Sequence, residues 1–504
     1  MGACLTLAPL TSFLLTLAII LEYDKERHGR RLQHTIELNY VNIWSEPRQV
    51  VAQILRDHEP WIPATRHSSL LRLVARLISQ LRAEPITSYD LGESKGRPSY
   101  NNVAQISAHL LSMTTLDISK AGDYVITSSY DRTCKIWDAN NGREVTKLTG
   151  HEHAVSAVSF NNPYANRVVT GSHDATCAIW DVSSGSQLAI LRGHSAEITA
   201  VTYAGKSRLC DDQLIVSASR DASARVWDTA TGTALLQPFL HDDEVVCVDP
   251  SADGRVLLTG SFDRTCRLWD LRTASQHSVR ILGQSSANHG NGQSIRDAHQ
   301  GEITKAILDW DAARAVSSSI DGKAKVWDLR TGKCMITVSG SPDSRQVDLS
   351  QSQVAAITDV TLNLRGNLLA TASEDGYVCL FSAQTGSLLQ SALAHGGQSV
   401  TALRFNGSGS LLMSSGEDGK ANIWSVTQPD DPRVLASASS AAARQGNRRS
   451  STSDQEPEPD TLKLWQTLGG HNAGLFSAVF SYHADVIATA STDNVCKVWK
   501  LGSS

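Results

Sequence analysis

The sequence predicts an all-β fold in which one unit of about 40 to 45 residues recurs eight times along the chain. Eight segments contain an Asp that is followed, after five intervening residues, by an aromatic residue. The composition carries the same signal, because 11 Trp stand against 8 Phe and 10 Tyr in 504 residues. Seven of these tryptophans occupy the aromatic position of the repeat, so the high number of Trp residues reflects the number of repeats.

Each repeat pairs a motif Asp with a motif aromatic residue. In chain order the eight pairs are Asp131/Trp137, Asp174/Trp180, Asp221/Trp227, Asp263/Trp269, Asp321/Trp327, Asp375/Phe381, Asp418/Trp424 and Asp493/Trp499. A His precedes seven of these Asp residues by 22 to 27 positions. The seven residues are His109, His151, His194, His241, His299, His395 and His471. The sixth repeat lacks both the His and the Trp, so it is expected to be the weakest unit.

The array resembles the WD-repeat family over about residues 101–501. Five repeats continue the motif Trp into a literal Trp-Asp dipeptide. Three of the His residues directly follow Gly, as in Gly150-His151, Gly193-His194 and Gly470-His471. The resemblance implies an eight-bladed WD40 β-propeller in which each repeat supplies four short strands.

The same resemblance implies structural roles for the motif residues. In the family, the Asp lies in the tight turn between the second and third strands and hydrogen-bonds the His before the first strand. A Ser or Thr and the motif Trp extend this network inside the blade. Because buried polar groups are stable only when paired, the repeated His–Asp pair is expected to hold the blade together, not to catalyse a reaction.

Ring closure follows from the order of the strands. Each repeat begins with the outer strand of the previous blade, so the eighth blade lacks one strand after Trp499. The segment Asn102 to Ser107, just before His109, is predicted to supply it. Closing the circle of sheets in this way removes exposed strand edges.

The spacing of the motif aromatics predicts three insertions. Successive aromatics lie 43, 47, 42, 58, 54, 43 and 75 residues apart. The long intervals place insertions near residues 284–296, 340–353 and 430–461, whose polar composition predicts disorder. In the last insertion, Arg448-Arg449-Ser450-Ser451 is either a site for a basophilic kinase or part of a neutral loop expansion.

A small α+β domain over residues 1–84 and a linker over residues 85–100 are predicted to precede the ring. Ile19 to Tyr23 and Leu32 to Leu38 are expected to form strands, with the residues before Leu17 as an irregular extension. Gln49 to Asp57 and Ser68 to Arg82 are expected to form helices.

The apolar N-terminus does not fit a membrane or secretory segment. Leu5 to Leu21 is short for a membrane span, contains Pro9 and has no basic residue in front of it. Gly2 matches the pattern for N-myristoylation, with Cys4 as a second acylation site, and this alternative stays open.

Charge and cysteine content exclude several classes of function. A net charge of −5 does not favour a nucleic-acid binder. The nine Cys residues show no zinc-binding spacing, and four of them occupy a repeat position where Ala also occurs, so buried thiols in a reducing cytosol are expected. No P-loop or GxSxG motif is present, so neither an enzyme nor a cofactor is expected.

The N-terminal region narrows the resemblance to the outer-row dynein assembly factors with WD repeats. The residues that carry it are AIILEYDK at 18–25, EPWIPATR at 59–66, SYDRTCK at 129–135, FNNPY at 160–164 and GHSAEI at 193–198. The resemblance implies a non-enzymatic cargo adaptor that links outer-arm dynein to intraflagellar-transport complex B. The protein is expected to be a monomer. Such an adaptor works in the cytoplasm, near the basal body and in the cilium or flagellum, with no membrane partner. A general scaffold, such as a ubiquitin-ligase substrate receptor, is the alternative, because one fold serves many partners.

Partner binding is expected at the turns that carry the motif Asp residues, at one rim of the ring. The residues directly before each motif Asp are Tyr130, His173, Arg220, Phe262, Ile320, Glu374, Glu417 and Thr492. Aromatic and Arg side chains are favoured interface anchors, so Tyr130, Arg220 and Phe262 are the leading candidates, together with His173. The alternative is that these side chains only cover neighbouring loops. Trp61 of the small domain is a second candidate anchor.

Overall fold

In the computed structural model the chain forms two compact units, Met1–Lys95 and Gly96–Ser504, and each is described by itself. The structure describes residues 3–7, 18–24, 31–37, 51, 54–55, 70–71, 74–75, 99–162, 164–206, 213–272, 278–282, 298–340, 355–427 and 461–502. The predicted anchor Trp61, the kinase-site sequence at 448–451 and almost all of the predicted linker and insertions lie outside these residues.

The first unit contains a three-stranded antiparallel sheet in the order β1-β2-β3. Its strands are β1 (Ala3–Leu7), β2 (Ala18–Asp24) and β3 (Arg31–Glu37). The expectation of an irregular extension before Leu17 was wrong for β1, in which Leu5 pairs with Leu21. Helical residues occur within both predicted helices, among them Ile54 and Val74, which are fully buried. No helix among the described residues has the length and apolar character needed to span a bilayer.

The second unit is a ring of eight four-stranded antiparallel sheets, which confirms the predicted eight-bladed propeller. Blades 1 and 2 consist of β5 (Met113–Ile118), β6 (Tyr124–Ser129), β7 (Thr133–Asp138), β8 (Glu144–Thr149), β9 (Val155–Phe160), β10 (Arg167–Ser172), β11 (Thr176–Asp181) and β12 (Gln187–Arg192). Blades 3 and 4 consist of β13 (Ile198–Lys206), β14 (Gln213–Ser219), β15 (Ser223–Asp228), β16 (Phe239–Leu240), β17 (Val245–Pro250), β18 (Val256–Ser261), β19 (Cys266–Asp270) and β20 (Arg280–Leu282).

The remaining blades follow the same plan. Blades 5 and 6 consist of β21 (Ile303–Leu308), β22 (Arg314–Ser319), β23 (Lys323–Asp328), β24 (Lys333–Ser339), β25 (Ile357–Leu362), β26 (Leu368–Ser373), β27 (Tyr377–Ser382) and β28 (Leu388–Leu393). Blades 7 and 8 consist of β29 (Val400–Phe405), β30 (Leu411–Gly416), β31 (Ala421–Val426), β32 (Leu462–Leu468), β33 (Leu475–Phe480), β34 (Val486–Ser491), β35 (Val495–Leu501) and β4 (Tyr100–Ser107). The first strand of each blade lies innermost, beside the first strands of its neighbours.

Burial explains the residue pattern of the strands. Second strands are covered on both faces, and β26, β30 and β34 are buried along their whole length. Outer strands such as β12 are mostly exposed and have fewer buried positions. The strands therefore become more polar from the centre of the ring to its edge.

Among its described residues, the core of the ring consists of eight apolar clusters, one between each pair of neighbouring blades. In every cluster the motif aromatic residue packs against the preceding blade; Trp180, for example, joins Ile126 and Ile136 of blade 1. Phe381 does the same in blade 6, beside Val316 of blade 5. Replacing such a buried aromatic residue by Ala typically costs about 3–5 kcal/mol.

This packing extends the role that the sequence predicted for the motif tryptophans. They were expected to act inside their own blades, whereas their rings also lie against the blade before. The other six tryptophans, each with an apolar residue of the preceding blade that belongs to the same cluster, are Trp137 with Val486, Trp227 with Val169, Trp269 with Leu214, Trp327 with Leu258, Trp424 with Leu368 and Trp499 with Leu411. The motif aromatic residues thus join blade to blade.

The N-terminal strand of the second unit closes the ring. β4 pairs antiparallel with β35, so the last blade takes its outer strand from the start of the repeat array. The strand begins at Tyr100, two residues before the predicted start. Tyr100 belongs to it because its buried ring meets Trp465 edge-on at 5.7 Å and its hydroxyl donates to the carbonyl of Ala484.

Candidate partner-binding surface

The motif His and the motif Asp lie side by side in the seven blades that have both. The Nδ1–carboxylate distances are 2.9 Å for His109/Asp131, 2.8 Å for His151/Asp174, 2.8 Å for His194/Asp221, 2.8 Å for His241/Asp263, 3.1 Å for His299/Asp321, 2.9 Å for His395/Asp418 and 3.5 Å for His471/Asp493. Each Asp lies in the turn between the second and third strands, and each His lies just before the first strand. The pairs therefore fasten two loops together at one end of the ring.

Blade 8 has the loosest of these pairs. His471 Nδ1 is buried without a hydrogen-bond partner among the described residues, although it lies 3.5 Å from Asp493. The Asp493 carboxylate still accepts the backbone N–H of Asn472 at 2.9 Å, which is the bond that Asp174 makes with Glu152 in blade 2. The two loops of blade 8 are therefore still joined, but through the backbone.

The seven motif tryptophans lie inside the blades, where the sequence predicted structural residues. All are between 1% and 8% exposed. Each indole N–H donates to a hydroxyl on the second strand of the same blade. The bonds are Trp137 to Thr127 at 2.9 Å, Trp180 to Thr170 at 2.9 Å, Trp227 to Ser217 at 2.8 Å, Trp269 to Thr259 at 2.9 Å, Trp327 to Ser317 at 2.8 Å, Trp424 to Ser414 at 3.1 Å and Trp499 to Thr489 at 3.1 Å. These rings are covered, so they belong to the framework and not to a partner-binding surface.

The same hydroxyl links each Trp to the motif His. In blade 2, Thr170 Oγ1 lies 2.7 Å from His151 Nε2 while it accepts the Trp180 indole N–H. A neutral His with its proton on Nδ1 donates to the Asp and accepts the hydroxyl proton at Nε2. Every polar group in this chain of hydrogen bonds is then satisfied.

Burial sets the protonation of these groups. It lowers the pKa of His109 and His241, an effect that exceeds the opposing influence of Asp131 and Asp263. Burial also raises the pKa of Asp263, but hydrogen bonds from His241 and Thr265 outweigh it and leave that pKa well below its usual range. The result is a carboxylate beside a neutral imidazole, which has the character of a structural clamp.

The turn that holds the motif Asp has a left-handed residue in every blade. The residue after the Asp has φ of 70° at Gly322, and five blades use a residue other than Gly, such as Arg132 with φ of 69°. The carboxylate of Asp131 supports this conformation by accepting the N–H of Thr133 at 3.0 Å. The Asp therefore shapes its own turn as well as holding the His.

The residue before each motif Asp is held by one repeated backbone bond. Its N–H donates to the carbonyl of the residue that precedes the first strand, for example Tyr130 to Ser112 at 3.1 Å and Phe262 to Glu244 at 2.9 Å. This bond occurs in all eight blades. The eight residues predicted from the sequence thus stand at equivalent, rigidly held positions, which we call the rim.

Rim residues of blades 1 to 3 form one continuous arc that reaches blade 4. The rings of Tyr130 and His173 meet edge-on with centroids 6.1 Å apart. His173 Nδ1 lies 3.8 Å from a Glu197 carboxylate oxygen, and the Arg220 guanidinium is 2.9 Å from the other one. Arg220 also reaches Glu244 of blade 4 at 3.5 Å. The structure therefore brings Tyr130, His173 and Arg220 together through Glu197, a residue that the repeat pattern did not indicate.

The exposure of the rim differs around the ring. Tyr130 and the Arg220 side chain are about half exposed, at 52% and 53%, whereas His173 and Phe262 are intermediate. The rim residues of the other four blades, Ile320, Glu374, Glu417 and Thr492, are also exposed. The three leading candidates are therefore accessible to different degrees, with Phe262 the least.

Leu110 and Leu111 add an apolar patch beside Tyr130 that was not predicted. They are 90% and 52% exposed, and the Leu111 carbonyl accepts the Ser129 hydroxyl next to Tyr130. The two positions after the motif His are polar or small in the other repeats, for example Asp242-Asp243. Comparing the repeats with one another at these positions is the signal that could have found the patch.

Metal binding and thiol chemistry find no support in the described part of the chain. Within it, no group of three or more His, Cys, Asp or Glu side chains is placed to hold a metal ion. Cys134, Cys177, Cys266 and Cys496 are free and buried, and burial raises the pKa of Cys177 to about 12. These thiols are therefore unreactive packing residues.

Comparison with known proteins identifies the repeats. The family model described as "WD domain, G-beta repeat" matches seven segments that together make up more than half of the chain. They are residues 100–138, 142–181, 185–228, 235–270, 336–382, 386–425 and 462–500. The fifth repeat lies in the unmatched stretch, although its strands complete a blade like the others.

Among curated proteins, the chain is similar to "Dynein assembly factor with WD repeat domains 1". It is 35% identical to the mouse protein over 150 residues and 36% identical to the zebrafish protein over 145 residues. The match spans 30% of this chain and 33% of the mouse protein, or about a third of that relative's length. Among solved structures, the crystal structure of the computationally designed Ika8 protein has a TM-score of 0.58 at 24% identity, covering 79% of this chain and 99% of that one. The last likeness concerns the fold alone.

Proposed function

Because this chain belongs to the WD40 repeat family, we propose that it is a non-enzymatic adaptor in the assembly of outer-arm dynein. In this proposal it links preassembled outer-arm dynein to intraflagellar-transport complex B and works in the cytoplasm, near the basal body and in the cilium or flagellum. The observation that carries the proposal is the 35% identity, over 150 residues, with a protein named for dynein assembly.

The rim arc is the surface we propose for capturing the transport complex. It presents apolar anchors at one end, Leu110, Leu111 and Tyr130, and a charged cluster around Arg220 at the other. Aromatic and Arg side chains on a rigid support lose little conformational freedom on binding, which favours them as interface anchors. The repeated backbone bond and the His–Asp clamps supply that support.

The proposal is tested by affinity purification of the tagged full chain from ciliated cells, followed by mass spectrometry. We expect recovery of outer-arm dynein chains together with subunits of transport complex B. The double variant Arg220→Glu with Phe262→Ala is expected to lose the transport complex, because it reverses a charge on the arc and removes an apolar contact from the next rim position. The Arg220 side chain is exposed and the Phe262 side chain is half-buried, so the variant is expected to keep its fold.

Arg272→Glu is the matched control. The Arg272 side chain is 48% exposed and paired with Asp270 at 2.7 Å, at the end of the ring opposite the rim. This variant should capture the same partners as the unchanged protein. Unchanged recovery of the transport complex by the folded rim variant would exclude the rim, and recovery of ubiquitin-ligase subunits in place of dynein would favour the scaffold alternative.

A further inference from the structure

The first strand of every blade has a β-bulge at its second residue. At this point the register between the first and second strands shifts by one residue in all eight blades. A bulge inserts an unpaired residue and re-aims its side chain. The eight bulge residues are Thr114, Ser156, Thr199, Val246, Thr304, Thr358, Thr401 and Phe476.

In six blades the bulge residue is Ser or Thr, and its hydroxyl reaches the next blade. It donates to the carbonyl of the first residue of that blade's first strand. The bonds are Thr114 to Val155 at 2.5 Å, Ser156 to Ile198 at 2.5 Å, Thr199 to Val245 at 2.5 Å, Thr304 to Ile357 at 2.7 Å, Thr358 to Val400 at 2.5 Å and Thr401 to Leu475 at 2.8 Å. We call this bond the bulge latch, because it joins the innermost strands of two neighbouring blades.

Val246 of blade 4 and Phe476 of blade 8 interrupt the series of latches. Neither side chain has a hydrogen-bond donor, so no bulge latch forms between blades 4 and 5 or between blades 8 and 1. These two joints are four blades apart, which places them on opposite sides of the ring. The latches therefore divide the propeller into two halves, blades 1 to 4 and blades 5 to 8.

Further polar contacts link the blades within each half. The rim arc from Tyr130 to Glu244 crosses blades 1 to 4 without passing either joint. In the other half, Asp359 of blade 6 pairs with Lys305 of blade 5 at 2.5 Å and with Arg404 of blade 7 at 2.9 Å. Both halves thus contain a charged network that spans at least three blades.

The two joints without a latch still have contacts of their own. Between blades 4 and 5, the Leu308 N–H donates to the Asp249 carboxylate at 2.6 Å. Between blades 8 and 1, the Lys120 ammonium lies 4.7 Å from the centre of the Tyr482 ring, and the Tyr482 N–H donates to the Lys120 carbonyl at 3.3 Å. These contacts keep the ring closed while the latch is missing.

We propose that the propeller flexes at the two joints that lack a bulge latch, so that blades 1 to 4 and blades 5 to 8 move as two rigid halves. Proteins open locally where their contacts are weakest, and one hydrogen bond of this kind changes an opening equilibrium by about fivefold. Because the whole rim arc lies on blades 1 to 4, it moves as one unit. This inference does not depend on the proposed function.

Backbone amides that donate across the joints report on their opening. The Phe160 N–H donates to Asp117 across blades 1 and 2 at 2.9 Å, which is the equivalent of the Leu308 bond to Asp249 across blades 4 and 5. The test is hydrogen exchange of the full chain, read by mass spectrometry with electron-transfer fragmentation to resolve single amides. We expect the Leu308 amide to be less protected than the Phe160 amide by about fivefold or more.

The joint between blades 8 and 1 has its own matched pair of amides. The Lys120 N–H donates to the Asn162 side chain across blades 1 and 2 at 3.1 Å, and Tyr482 holds the same loop position in blade 8. We expect the Tyr482 amide to be less protected than the Lys120 amide, again by about fivefold. Equal protection within either pair would overturn the proposal.

Two variants of the same shape add and remove a latch. Val246→Thr supplies a hydroxyl between blades 4 and 5 and should raise the protection of the Leu308 amide about fivefold, with the Phe160 amide unchanged. Thr114→Val removes the latch between blades 1 and 2 and should lower the protection of the Phe160 amide about fivefold, with the Leu308 amide unchanged. No change at Leu308 in Val246→Thr, or equal changes at both amides in either variant, would overturn the proposal.

Discussion

Thr371 and Phe381 occupy, in blade 6, the positions at which the other seven blades join a hydroxyl to an indole N–H. The Thr371 hydroxyl is buried and has no hydrogen-bond partner among the described residues. Phe381 is 3% exposed and fills the apolar site of the motif Trp, but it has no N–H to donate. Among the described residues, blade 6 therefore keeps the packing of the repeat but lacks the hydroxyl-to-indole bond of the other blades.

Thr371→Val should leave stability unchanged or increase it, whereas Thr170→Val should destabilise the protein by about 2 kcal/mol or more. The first change removes a hydroxyl that bonds no described residue. The second leaves both His151 Nε2 and the Trp180 indole N–H without their partner. The measurement is the free energy of unfolding by urea at pH 7.5.

These two variants are controls for each other, because they make the same chemical change at the same position of two blades. Equal losses of stability would show that Thr371 has an acceptor or donor outside the described residues. If Thr371→Val is more stable than the unchanged protein, the Thr371 hydroxyl itself destabilises the sixth blade.

Two carboxyl groups of the inner strands should make stability depend on pH. Burial raises the pKa of Asp117 and of Asp249 to about 6, against the opposing effect of backbone N–H groups. Each carboxyl accepts an N–H of the next blade, from Phe160 at 2.9 Å and from Leu308 at 2.6 Å. They therefore lie at blade-to-blade contacts.

The folded pKa lies above the unfolded one, so the stability that these carboxyls contribute is complete below about pH 4 and is lost as pH rises through 6. The variant Asp249→Asn keeps the acceptor oxygen for the Leu308 N–H and removes this loss at that site. We expect it to be more stable than the unchanged protein at pH 7.5, by about 3 kcal/mol, with little difference at pH 4. Urea midpoints from pH 4 to 8 give the comparison, and a constant difference across that range would contradict it.

Loss of the Tyr100 side chain should open the ring at its seam, which is the contact of β4 with β35 and β32. The buried ring meets Trp465, and the Tyr100 backbone exchanges hydrogen bonds with the Gln466 side chain at 2.8 Å in both directions. Tyr100→Ala is expected to cost about 3–5 kcal/mol, and Tyr100→Phe about 1–2 kcal/mol through the unpaired Ala484 carbonyl.

Hydrogen exchange locates this effect. Tyr100→Ala should raise exchange first in β4, β35 and β32, while blades 2 to 5 stay protected, because the seam is the contact that was weakened. Uniform acceleration around the ring would mean instead that the propeller opens as one cooperative unit.

The apolar rim patch should matter for binding and little for stability. The double variant Leu110→Ser with Leu111→Ser removes two apolar side chains that are 90% and 52% exposed. The free energy of unfolding should therefore change by less than about 1 kcal/mol. Under the proposed function, recovery of the transport complex should fall. Leu188→Ser with Ile190→Ser, on the outer strand β12, removes apolar side chains of 51% and 41% exposure and should not affect recovery. Equal recovery by both variants would exclude the patch.

The repeat pattern predicted most of the fold because its signals are local. The spacing of the Asp and aromatic residues identifies every blade, and the missing fourth strand after Trp499 predicts closure by the N-terminal strand. The start of that strand was missed by two residues, since Tyr100 is held by Trp465, which is 365 positions away. A contact between residues so far apart in the chain produces no repeating pattern in the sequence.

By itself, the sequence determined the number of blades, the residues that fasten them and the unusual composition of the sixth repeat, because each depends on residues within one repeat. Only the tertiary structure decided that the motif tryptophans join neighbouring blades and which rim residues meet through Glu197. Both depend on how neighbouring blades are placed side by side. That placement arises from closure of the ring, a property of the whole circle of sheets and of no single repeat.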